Sequence, residues 1–422
     1  MVKHMFVVTA VGLVLCGGSA HALYPIFDAP VQYFGGAGMT EVVAVDLDGD
    51  GDRDLATADF TSNYFTVLLN DGDGAFAYRQ HYYLGFLISG STDICAADLD
   101  DDGDIDLAIS RMYDPSTVAV LINHGDATFE TPVHYDVDNG ARGIFAADLD
   151  GDLDKDIVTT SFTFNTVSVL KNNGDGTFQT AVDFSAGPGE VDGAEDVVAG
   201  DLDGDLDLDL AVANSTTGDV YVLLNNGDAS FSAPLAYAAL GDPRDMRIAD
   251  LDADGDRDLA MSIAASDEVS LLLNNGDGTF AAAVLYPVGD SPQALFVGDL
   301  NRDGYNDLMT ANFHATDVSI LWNNEDGTFS TADTYETGTM SPNAITAGDL
   351  DGDGNLDLVV GHYLVLTDGR LTVHLNLLPP SQPCGCCTVA PGDLDGDGTA
   401  SISDLIYLVD YMFFSGPPPI CQ

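Results

Sequence analysis

The stretch D-L-D-G-D-G-D-R-D, from Asp46 to Asp54, places carboxylates at alternate positions of a glycine-containing loop. The pattern D-L-[DN]-x-D-x-x-x-D returns with its first aspartate at Asp98, Asp148, Asp201, Asp250, Asp299 and Asp349, at intervals of 52, 50, 53, 49, 49 and 50 residues. A period of this length marks a repeat architecture, in which each unit is a supersecondary element unable to bury its apolar face alone. A second landmark keeps the same beat: Phe27, Phe76, Phe129, Phe178, Phe231, Phe280 and Phe329. Six residues after each comes another aromatic: Tyr33, Tyr82, Tyr135, Phe184, Tyr237, Tyr286 and Tyr335. The even spacing predicts both rings on one face of an extended strand, packing between units.

Four β-like runs fit within one unit, Phe178 to Phe184, Asp196 to Gly200, Leu210 to Ala213 and Val220 to Leu224, separated by turn chemistry that includes the N-N-G-D-G-T-F hairpin. Four strands in each of seven units predict an all-β chain, a seven-bladed β-propeller of four-stranded blades over residues 23–378. The first aromatic strand precedes the first aspartate loop, and the last unit lacks one of its own. The N-terminal segment is therefore expected to supply the outer strand of the last blade and close the ring, leaving no free sheet edge there. A linear solenoid is the alternative, although no polar capping repeats mark the ends.

Alternating aspartates in a tight turn suit calcium, a hard cation that takes six to eight oxygen ligands. In the first repeat, the side chains of Asp46, Asp48, Asp50 and Asp54 and the carbonyl of Asp52 are the candidate ligands. The second and third sets are Asp98, Asp100, Asp102, Asp104, Asp106 and Asp148, Asp150, Asp152, Asp154, Asp156. The fourth and fifth are Asp201, Asp203, Asp205, Asp207, Asp209 and Asp250, Asp252, Asp254, Asp256, Asp258. The last two are Asp299, Asn301, Asp303, Tyr305, Asp307 and Asp349, Asp351, Asp353, Asn355, Asp357. Up to seven calcium ions are expected, since packed carboxylates repel one another without a cation. Leu153 and Leu206 replace the glycine found at the sixth loop position elsewhere, and Asn301 removes one charge; these three loops are expected to bind more weakly.

Across residues 26–378 the seven loops closely resemble the FG-GAP / VCBS repeat family, which includes the integrin α-subunit propeller and many bacterial secreted proteins. The resemblance implies a calcium-binding propeller. Family members serve adhesion, carbohydrate binding and, in larger enzymes, catalysis, so the fold does not choose among these.

A basic start at Lys3 and His4, an apolar run from Met5 to Cys16 and the ending Ala20-His21-Ala22 predict a secretory signal peptide over residues 1–22. No later apolar run is long enough to span a membrane. A Pro- and Cys-rich linker over residues 379–390 leads to a C-terminal segment, 391–422. There Asp393, Asp395, Asp397, Thr399, Ser401 and Asp404 fall at EF-hand loop positions, followed by apolar residues at helical spacing. This segment resembles half of a type I dockerin, implying one more calcium ion and a cohesin-like or surface-attachment partner; dockerins carry two such units and this chain has one. Cys384, Cys386, Cys387 and Cys421 leave disulfide pairing open, and Cys95 is expected to be a buried thiol.

With 69 acidic against 12 basic residues, a formal charge of -57 excludes nucleic acid and anionic membranes as partners. His81, His124, His134, His314, His362 and His374 sit at non-equivalent positions with no hydrolase motif beside them, so no catalytic residue is assigned. The aromatic loops at Tyr82–Leu87, Met112–Pro115 and Phe162–Phe164 are candidates for stacking on a sugar or a protein. The sequence thus predicts a secreted, monomeric, non-catalytic binding or adhesion module for carbohydrate or extracellular protein. The alternative is a component of secreted polysaccharide degradation.

Overall fold

A computed structural model describes residues 27–85, 90–188, 192–364 and 369–378. The signal peptide, the linker, its cysteines and the dockerin-like segment lie outside these described residues.

Seven antiparallel sheets of four strands each form the seven blades of a β-propeller, and no helix occurs among the described residues. The innermost strands are Met39–Val45, Ser91–Ala97, Ala141–Ala147, Ala194–Gly200, Pro243–Ala249, Pro292–Gly298 and Pro342–Gly348. In blade 1 the chain continues outward through Asp54–Asp59 and Tyr64–Leu69 to Tyr78–Tyr83. Burial follows this order. Every residue of the second strand is buried in all seven blades, whereas the residues of outermost strands such as Val133–Asp136 and Val182–Ser185 are exposed or half-buried.

The ring is closed by the N-terminal strand Val31–Phe34, which pairs antiparallel with Arg370–His374 and becomes the outermost strand of blade 7. Phe27 adds a bridge to Asn376. This is the closure expected from the repeat phase, and it excludes the open solenoid.

The aromatic landmarks pack between blades, but the partners are not the two members of one repeat. Phe27, Phe129, Phe178, Phe231, Phe280 and Phe329 make bridges just ahead of the strands that carry their sequence partners. Each second ring instead meets the first ring of the next repeat edge-on: Tyr33–Phe76, Tyr82–Phe129, Tyr135–Phe178, Phe184–Phe231, Tyr237–Phe280 and Tyr286–Phe329, with centroids 5.1–5.5 Å apart. Tyr335 reaches back to Phe27 at 5.6 Å, completing the ring. Edge-to-face pairs of this kind are worth about 0.5–1.5 kcal/mol each beyond the area they bury.

Every innermost strand carries a register shift near its start against the second strand, at Met39/Glu41 in blade 1 and at the equivalent place in the other six. A bulge re-aims the side chains around it. The aspartate loops follow the other end of these strands, so bulges and loops stand at opposite faces of the ring.

Candidate metal centre

Each loop is built around its first aspartate, whose carboxylate accepts the backbone N–H of the sixth position. Gly51, Gly103, Gly255, Gly304 and Gly354 donate to Asp46, Asp98, Asp250, Asp299 and Asp349 at 2.9–3.1 Å. Leu153 and Leu206 make the same bond to Asp148 and Asp201, at 3.0 and 3.1 Å. They do so at φ values of +82° and +77°, in the left-handed region, and the two residues are 85% and 86% exposed. The two leucine loops therefore keep the common geometry at the cost of left-handed backbone, about 1 kcal/mol each.

The aspartates at the ninth position do more than the sequence suggested. Both oxygens of Asp54 accept buried backbone N–H groups, from Leu47 at 3.0 Å and Asn70 at 2.8 Å. The same pair of bonds recurs at Asp106, Asp156, Asp209, Asp258, Asp307 and Asp357. Burial pushes the pKa of Asp54, Asp106, Asp156, Asp209 and Asp258 up to about 6, and that of Asp307 and Asp357 to about 7; the backbone bonds oppose the shift and neighbouring loop carboxylates add to it.

Carboxylate oxygens converge within 4.8 Å of one another in Asp46, Asp48 and Asp50, and in Asp250, Asp252 and Asp254. Three further sets draw on the ninth position instead of the fifth: Asp98, Asp100 and Asp106; Asp148, Asp150 and Asp156; Asp201, Asp203 and Asp209. The first and third positions thus meet as expected, with either the fifth or the ninth as third partner. Buried carboxylate oxygens of Asp48, Asp98, Asp100, Asp150, Asp250 and Asp349 have no hydrogen-bond partner. Buried acceptors left bare are costly. A donor set of oxygens alone, with such orphaned lone pairs, fits a hard cation such as calcium. In the sixth loop, Asn301 turns its amide toward Asp303 at 2.9 Å, a contact an aspartate there could not donate.

Sequence reading missed a ring of asparagines that ties these loops together. The first Asn of the N-N-G-D-G turns at Asn172 and Asn274, and the Asn at the same place in the other five blades, read as turn chemistry, yet their side chains are buried. Asn123, Asn172, Asn225, Asn274, Asn323 and Asn376 donate to the carbonyls of Leu47, Leu99, Leu149, Leu202, Leu251 and Leu300 in the preceding blade, at 2.7–3.1 Å. Asn70 closes the circle onto Leu350 at 2.8 Å. The signal available was recurrence: a turn needs Asn or Gly, but seven turns with Asn at one position call for a specific partner.

Elsewhere, His362 and His374 are buried in blade 7, where desolvation lowers their pKa, to about 4 for His362. Cys95 is half-buried on an innermost strand, and desolvation raises its thiol pKa. Of the candidate stacking loops, Tyr82 is spent on packing against Phe65 and Phe129, whereas Tyr113 and Phe164 are exposed; Phe86 and Leu87 fall outside the described residues.

A family model described as FG-GAP-like repeat matches six overlapping segments, 46–109, 98–159, 154–212, 201–261, 250–310 and 299–360. No curated protein matches the chain. Among solved structures, a lectin of Agrocybe aegerita, described as specifically recognising non-reducing terminal N-acetylglucosamine, is 25% identical, with 70% of this chain and 80% of the lectin covered and a TM-score of 0.51. The N-terminal part of BBS1 in complex with ARL6 superposes with a TM-score of 0.58 at 14% identity, covering 84% of this chain and 99% of that one. A streptogramin B lyase gives 0.57 at 13% identity, covering 82% and 98%. These last two likenesses are of fold alone.

Proposed function

The chain belongs to the FG-GAP-like repeat family, and from that premise we propose that it is an exported, calcium-loaded propeller acting as a non-catalytic binding or adhesion module for carbohydrate or an extracellular protein. The observation that carries the reading is the recurrence of one carboxylate loop on one face of every blade, with buried oxygens left without partners. Such loops serve as metal-held corners of a rigid scaffold, and the opposite face is then free to vary. The lectin among the structural neighbours supports carbohydrate as one ligand class.

Export is consistent with the apolar N-terminal run ending in Ala20-His21-Ala22, and no helix long and apolar enough to cross a membrane occurs among the described residues. The C-terminal loop at Asp393–Asp404 would add a calcium-dependent attachment point.

The test is thermal unfolding of the mature chain in millimolar calcium and in excess chelator, with bound metal counted by elemental analysis. Several calcium ions per chain and a large drop in melting temperature on chelation are expected. An unchanged melt with no bound calcium would overturn the reading and leave the aspartates as a solvated acidic face.

A further inference from the structure

We propose that the funnel on the propeller axis, at the face away from the aspartate loops, binds the terminal residue of a neutral carbohydrate chain. The proposal rests on the binding-module reading and gives it a site.

The funnel is where the repeat breaks. At the second position of the innermost strand the blades carry Thr40, Thr92, Arg142, Glu195, Arg244, Gln293 and Asn343 in turn. The threonines are explained by the fold: Thr40 donates to the carbonyls of Ala58 and Ser91 at 3.2 and 3.1 Å, and Thr92 to that of Ala141 at 3.0 Å, joining neighbouring blades. Arg, Glu and Arg in blades 3 to 5 also join neighbouring blades, but with charged groups at a place where the other blades use threonine or an amide. These three form one preorganised unit. Glu195, only 4% exposed, is shared by both guanidiniums: Arg142 donates to Oε2, and Arg244 to Oε1 at 2.7 Å, where Ser215 Oγ also donates at 2.8 Å. The Arg142 guanidinium lies over the Phe162 ring, 4.2 Å from its centroid. About a third of each arginine side chain remains exposed, so donors are left for a ligand.

The floor of the funnel is Arg247, which pairs with Asp245 on its own strand, with Asp196 of blade 4 at 3.9 Å and with Glu41 of blade 1 at 3.8 Å. A contact from blade 5 to blade 1 crosses the axis. The acids are themselves braced, since Asp196 and Asp245 accept the N–H of Met246 and Leu295 in the next blade at 2.8 and 2.6 Å. This cluster crosses the axis beside a cavity of about 290 Å3, close to the lower end of small-ligand pockets, roughly 300–1,000 Å3. A cavity of this size has room for the end of a chain.

The lining names the ligand class. Guanidinium and amide groups line the wall together with carboxylates, and Phe60 and Tyr363 line it too. A sugar hydroxyl donates and accepts at once, which a wall of mixed donors and acceptors satisfies, and the aromatic rings offer a face for ring C–H groups. An anionic ligand would face five lining carboxylates against three arginines, within a chain of formal charge -57. A basic side chain would meet those three guanidiniums.

The experiment uses the calcium-loaded full chain on an array of immobilised oligosaccharides ending in neutral hexoses or N-acetylhexosamines, beside uronate-ended oligosaccharides and an arginine-ended peptide. Retention of neutral-ended probes is expected, competed by the matching free methyl glycoside. Glu195→Gln and Phe60→Ala should each weaken it about tenfold or more, the scale of losing charge-assisted or stacking contacts, while Tyr78→Ala on an outermost strand leaves it unchanged. Neutral-glycan binding that survives both funnel variants would overturn the site, and funnel-dependent binding of the uronate or arginine probe alone would overturn the ligand class. A chain that retains no probe also overturns the proposal. The binding-module reading fails on different evidence, an unchanged melt with no bound calcium.

Discussion

At one end of the seven innermost strands the molecule repeats itself, and at the other it does not. The loop end carries seven versions of one carboxylate turn, each stapled by its ninth-position aspartate and tied to the preceding blade by a buried asparagine. The funnel end starts each strand with the same bulge and then presents Thr, Arg, Glu, Gln or Asn to the axis. Repetition marks what every blade needs in order to stand beside its neighbour. Departure from it marks residues the ring can do without, and therefore residues free to serve a ligand.

The largest effect that could break this contrast is metal removal. Each loop that holds calcium at 100 times its dissociation constant contributes about 2.7 kcal/mol, so chelation should lower the melting temperature by more than any single substitution. Calorimetry in calcium and in chelator checks this, and a fall no larger than that of one loop variant would mean that most loops do not hold the ring.

Asp258→Ala separates staple from ligand. Its two oxygens accept buried N–H groups from Leu251 and Asn274, both at 2.8 Å. Leaving both donors bare should cost about 3 kcal/mol, at roughly 1–3 kcal/mol per buried group. The loss should appear in urea unfolding with and without calcium; a loss seen only with calcium would assign this aspartate to the metal alone.

Asp59, fully buried at the funnel end of the second strand in blade 1, tests the non-repeating face. Burial raises its pKa to about 7, against bonds from Thr57 and Thr66, each 2.9 Å. The folded carboxyl keeps a proton that the unfolded chain releases near 3.8. Its stabilising contribution is thus complete below about pH 3.8 and is lost as pH rises through about 7. Asn312 occupies the equivalent position in blade 6, accepting from Thr310 at 2.9 Å and donating to Ser319 at 2.9 Å. Asp59→Asn should therefore be accommodated, raise stability at pH 8 by on the order of 2 kcal/mol, and flatten the pH dependence between 4 and 8. Denaturant midpoints across that range decide it, and an unchanged slope would show that Asp59 is ionised throughout.

Leu206→Gly should have the smallest effect. Relief of about 1 kcal/mol of left-handed strain is opposed by about 0.5–1 kcal/mol of glycine flexibility, so stability should move by no more than about 0.5 kcal/mol. The loop bonds already match those of the glycine loops, so the calcium count should not change. A rise in bound calcium would show that leucine at this position had weakened its loop, as the sequence reading expected.

The blades, their number, the closing N-terminal strand and the loop aspartates were legible because the physics behind them is local and recurs. A loop such as Asp46–Asp54 states its chemistry within nine residues, and seven copies remove the ambiguity of one. Asn123 and the ninth-position aspartates were legible as residues but not as roles, since their partners lie in another blade or strand. The aromatic pairs were visible at the right positions, yet their true partners are one repeat apart.

The sequence by itself determined the period, the all-β character and a ring of carboxylate turns, because turn geometry and strand alternation are written in neighbouring residues. Only the tertiary structure decided that Arg142 and Arg244 meet at Glu195 and that Arg247 meets Asp196 and Glu41. Most are separated along the chain by about one repeat and sit in strand starts that carry no motif. Bulges turn those starts inward and ring closure brings blades 1 and 5 within reach across the axis, and a charge cluster assembled by closure has no signature in any one stretch of chain.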